Sequence, residues 1–137
     1  MKETPFPAEV TYTLSHVLKG IRRLPETVTG WQEVSSSPDQ IVRDLAKQAL
    51  PGYEAALRYV ESKTPKQIYD DLVQVHAFYR QLSEVGTNPV EIARQIIARF
   101  DNIPLHLNDI VDPIAGGWIH TLKQHIWVAA IEDAPRG

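Results

Sequence analysis

Four times in this chain a small polar residue is followed directly by proline and then by an apolar pattern of helical period. The pairs are Ser37-Pro38, Thr64-Pro65, Asn88-Pro89 and Asp112-Pro113. The polar side chain can accept a hydrogen bond from a free N–H of a first helical turn, and proline in that turn forfeits no hydrogen bond. Gln40, Gln67 and Glu91 stand three residues after the first three caps, where a capping box needs them. Helix starts repeated in this way predict an all-α fold, a single-domain bundle of about five to six helices. At 137 residues the chain is one domain on length and large enough for a core. Residues 1–7 read as an arm and 133–137 as a polar tail.

Apolar periodicity places the helices between these signals. Val10, Leu14, Val17, Leu18 and Ile21 predict a helix over 8–23, with Pro25 blocking its continuation. A strand over 10–14 competes, because Thr11 and Thr13 are β-branched. Residues 25–37, rich in Pro, Thr, Gly and Ser, read as a loop that carries Trp31. Helices are predicted over 38–50 and from Tyr53 to Lys63, a single kinked helix over 38–63 being the alternative, because Leu50-Pro51-Gly52 interrupts the pattern. Ile68, Leu72, Val75, Tyr79 and Leu82 make an apolar seam on a helix over 65–85, with Gly86 placed to end it. A further helix spans 89–100. Residues 105–112 read equally as a helical turn or a loop. The last helix starts at Pro113, with Gly116 and Gly117 marking close packing or a later start. Its segment 126–131 is apolar nearly all round, which predicts that this helix is the buried one.

Composition narrows the chemistry. The chain has no cysteine, which excludes disulfides, thiolate nucleophiles and Cys-ligated metals. A net charge of −3 gives no electrostatic case for non-specific nucleic-acid or membrane binding. No secretory signal is evident in the first residues, and no apolar run is long enough for a bilayer, so a cytoplasmic location is expected. Leu24-Pro25-Glu26-Thr27 partly matches a cell-wall sorting motif, but Val28 stands where that motif needs glycine. No Gly-x-Ser-x-Gly elbow or phosphate loop occurs, and no cofactor is called for.

The candidate sites are sparse. His120 and His125 are five residues apart, about 140° around a helix, and so cannot share an ion while both stay helical. His106, Asp109 and Asp112, at spacings of three, could offer one nitrogen and two carboxylates to a metal, although Asp112 also reads as a cap and Asp109 as a turn residue. Lys19, Arg22 and Arg23 form the one local basic cluster. They suit a helix C-terminus, or a nucleic acid if Arg43, Lys47 or Arg58 joins them. Trp31, Trp127, Tyr69 and His76 are the candidate partner-binding residues, since aromatic side chains dominate binding hot spots.

The expectation is a non-catalytic helical interaction or regulatory module that binds a protein partner or itself. The alternative is a metal- or small-ligand-binding helical protein, an enzyme included, in which at least two of His76, His106, Asp109, His120 and His125 converge between helices. A nucleic-acid-binding regulator is the third reading.

Overall fold

The computed structural model describes residues 8–112 and 117–134. It is all-helical, with five helices among the described residues and no strand. They are α1 (Ala8–Val34), α2 (Gln40–Glu61), α3 (Pro65–Glu84), α4 (Pro89–Arg99) and α5 (Gly117–Glu132). α1 packs against α2 and α3 and touches α5, while α4 lies between α3 and α5. One contiguous core joins all five.

The clean helix starts are those of α3 and α4. Thr64 and Gln67 form a reciprocal capping box before Pro65. Asn88 accepts the N–H of Val90 before Pro89, while Glu91 turns to Gln95 and Arg94 instead of back to the cap. α3 ends at Gly86, whose φ of 80° is open to glycine at no steric cost. The N–H of Thr87 bonds Leu82 O and that of Gly86 bonds Ser83 O, the paired bonds of a Schellman ending. The Ser37-Pro38 signal is displaced by one residue pair. Asp39 is the N-cap, accepting from Ile41 and Val42, and Ser37 Oγ accepts the Asp39 N–H.

Proline does not end the first helix. The sequence predicts a stop at Pro25 and a loop over 25–37, yet α1 runs on to Val34. The reason is its inner face. Val10, Thr13, Val17, Gly20, Leu24 and Val28 are all buried and recur at steps of three and four across the proline, while Pro25 itself is exposed. One lost N–H bond, roughly 3 kcal/mol with the ring clash, is outweighed by a continuous buried seam. Pro51 sits inside α2 in the same way, so 40–61 is the single helix of the alternative reading. Thr13 is accommodated as a helical residue by bonding its hydroxyl to Glu9 O.

The segment 100–112 is a run of turns that plugs the bundle. Ile103, Leu105, Leu107, Ile110 and Val111 are all buried in it. It is held from below by Gly20: a Cβ there would stand 2.1 Å from the Asp109 carbonyl oxygen, so only glycine lets α1 approach. The proposed helix start at Pro113 and Gly116 lies outside the described residues, and Gly117 opens α5 with φ 68°.

Two further expectations are corrected. The α3 seam, which as an apolar stripe of a- and d-type positions could equally pair with a second copy, is turned inward, with Ile68, Leu72 and Val75 buried in the chain's own core. The end of α5 is not buried all round: Ile126 and Ala129 are, but Trp127 is 69% exposed and Ile131 63%. No described helix is long and apolar enough to cross a membrane.

Candidate functional site

α5 presents different residues to its two sides. Lys123, Gln124 and Trp127 face the middle of α2 across a cleft of about 500 Å³, whose rim is completed by His106 and Asn108. Ile126, Ala129 and Ala130 face α4 across an apolar groove of about 460 Å³. Trp127 and His106 border both. The groove is closed at one end by Arg94, which donates to Asp133 at 3.0 Å and to Glu132 at 2.8 Å and so ties the end of α5 to α4. The hydrogen bond to Asp133 is the largest influence on the Arg94 guanidinium and, joined by the charges of Asp133 and Glu132, raises its pKa against the opposing desolvation.

Lys123 is the unusual residue of the site. It is only 9% exposed, and its ammonium donates to Asn108 Oδ1. Burial pulls its pKa below the ordinary lysine value, while the charges of Asp112 and Asp109 oppose that shift. A buried ammonium without nearby acceptors would be too costly, and these groups are what allow it to stay charged. Asp109 also accepts from Thr27 Oγ1 at 3.0 Å, so α1 holds the turn in register. Burial, then Asp109, raises the pKa of Tyr53 on the opposite wall. His106 stands at the shared rim, and partial desolvation lowers its pKa.

The residues singled out from sequence fall in four places. His106, Asp109 and Asp112 share one segment but not one centre: His106 is on the rim, Asp109 bonds Thr27, and Asp112 is buried, with its charge acting on Lys123. Among the described residues no group of three or more His, Asp or Glu side chains is placed to hold a metal ion. Of the histidines expected to converge, only His106 lines the cleft. His76 is 5% exposed, edge-on to Trp118 at 4.8 Å and 3.8 Å from Glu9, in the core between α1, α3 and α5. Burial lowers its pKa, with Glu9 opposing and Arg80 assisting. Tyr69 is half-buried against the core. Trp31 folds back onto α2 and stacks on Tyr53 at 5.9 Å, behind the cleft wall. Lys19, Arg22 and Arg23 are exposed along the middle of α1, not at its C-terminus. Trp127 is the one member of the partner-binding set that stands out into solvent.

The sequence reading missed Lys123. The signal was present: Ile119, Lys123 and Ile126 fall on one helical row, and a cation on an otherwise apolar inner row needs a partner. Comparison with protein-family models, with curated proteins and with solved structures yields no match.

Proposed function

We propose that this chain is a non-catalytic interaction module that pairs with a second copy of itself through α5. The observation that carries this reading is a protruding tryptophan beside an apolar groove. Trp127, Val128 and Ile131 lie on one exposed face of α5, and the neighbouring groove has the small residues Ala93, Ala129 and Ala130 in its lining. A knob next to a hole on one face is self-complementary: a two-fold axis puts each copy's knob in the other's hole. Clustered exposed apolar side chains favour association, and an aromatic anchor in a small-residue pocket is the usual centre of such an interface.

Sedimentation velocity over a concentration series tests the reading. The native chain is expected to approach twice its monomer mass, and Ile131→Asp to remain monomeric with an unchanged far-ultraviolet spectrum. A native chain that stays monomeric at the highest soluble concentration overturns self-pairing.

A further inference from the structure

The cleft between α2 and α5 is a second opening beside α5, and it shares Trp127 with the face proposed to pair. Its wall carries one charged amine. Lys123 is buried, yet among the described residues the only hydrogen-bond acceptor on its ammonium is Asn108 Oδ1. An ammonium has three N–H donors, and a buried one with a single acceptor has capacity left for another. No acidic side chain is among the described residues that line the cleft, although the charges of Asp109 and Asp112 act on the lysine and Asp109 also bonds Tyr53 on the other wall. Next to the amine stands the largely exposed indole of Trp127, with the amides of Gln48 and Gln124 also lining the cleft. A volume of about 500 Å³ falls within the range of small-molecule sites.

We propose that this cleft binds a small planar carboxylate, its charged group on the Lys123 ammonium and its ring against Trp127. The charges of Asp112 and Asp109 favour the protonated amine and would repel a second anionic group on the ligand, so the recognised class is the monocarboxylate. The indole face supplies stacking area at little entropic cost. The opposite wall is open at Gly52, where an added Cβ would meet no heavy atom within 4 Å.

Benzoate is the probe, with benzamide and benzylamine as its neutral and cationic counterparts, titrated into the full chain by calorimetry and by saturation-transfer NMR. Benzoate is expected to bind with a Kd on the order of 1 mM, as a fragment of its size allows. Benzamide should bind at least about 5-fold more weakly, and benzylamine without saturation. Lys123→Met should weaken benzoate about 10-fold or more. Gly52→Leu gives a second arm, because it fills the cleft from a helical position with free space and leaves the lysine intact; it should abolish binding while the chain stays folded. Ile131→Asp, at a position outside the cleft lining, should bind benzoate at least as tightly as the native chain, because pairing no longer covers Trp127, so loss of pairing and loss of binding are read separately. No saturable benzoate binding, equal binding of benzoate and benzamide, or undiminished binding by folded Lys123→Met or Gly52→Leu overturns the proposal.

Discussion

The clefts on the two sides of α5 are nearly equal in size, about 500 and 460 Å³, and opposite in chemistry. On the α2 side a buried amine, an asparagine and two glutamines hold a polar wall in place. On the α4 side alanines and isoleucines leave a groove with little polar lining, and the ion pairs of Arg94 with Glu132 and Asp133 close one end of it. Both are borne by the same helix and share the same Trp127 and His106. The difference therefore comes from what each neighbour brings. α4 offers a regular apolar face, whereas the α2 side is bridged by an irregular segment whose turns free an asparagine and two aspartates. Turn backbone places polar side chains near a buried lysine in a way that a regular helix face does not.

If the polar side depends on that irregular segment, disturbing its support should have the largest effect. Gly20→Ala forces a Cβ against the Asp109 carbonyl and should cost more than about 4 kcal/mol in urea unfolding, since backbone on both sides of the contact must move. Ile126→Ala tests the apolar side alone. It removes a buried side chain beside the groove and should cost about 3 kcal/mol by the same measurement, with benzoate binding retained.

A smaller effect, common to both sides, is read by pH. The pKa values of His106 at the shared rim and His76 in the core are both lowered in the folded chain. The unfolded chain then binds more protons just below its ordinary histidine value of about 6.5, so stability is fully present above that pH and declines as pH falls through the window. Melting temperature followed from pH 7.5 to 5.5 should drop, and His76→Gln should flatten the slope; an unchanged slope in that variant contradicts the assignment. The smallest expected change is a gain. Gly52→Ala, in the open wall of the polar cleft, should stabilise the chain by roughly 0.5–1 kcal/mol, because it improves helix propensity and meets nothing.

What the sequence disclosed followed the range of each signal. The starts of α3 and α4 and the ending at Gly86 are set by side chains within three residues of the backbone they satisfy, and these were legible. Pro25 and Pro51 misled because a local penalty was judged without the distant contacts that offset it: Leu24 and Val28 are buried by other helices. The same holds for 126–131, where an apolar composition does not reveal which neighbour is missing. His106, Asp109 and Asp112 were correctly seen as close in sequence, but their partners are Thr27 and Lys123, from α1 and α5. Only Lys123 itself, a cation in an inner row, pointed to a site that its own segment cannot complete.

The central claim is that Trp127 stands free on one chain and is covered when two chains meet. Labelling with 5-fluorotryptophan gives three fluorine signals, one for each tryptophan, and Trp127→Phe assigns the one in question. Across a concentration series the account predicts that the Trp127 signal shifts and loses its H₂O/D₂O isotope effect, while the signal of buried Trp118 stays fixed. A Trp127 signal that keeps its full isotope effect at every concentration contradicts the account.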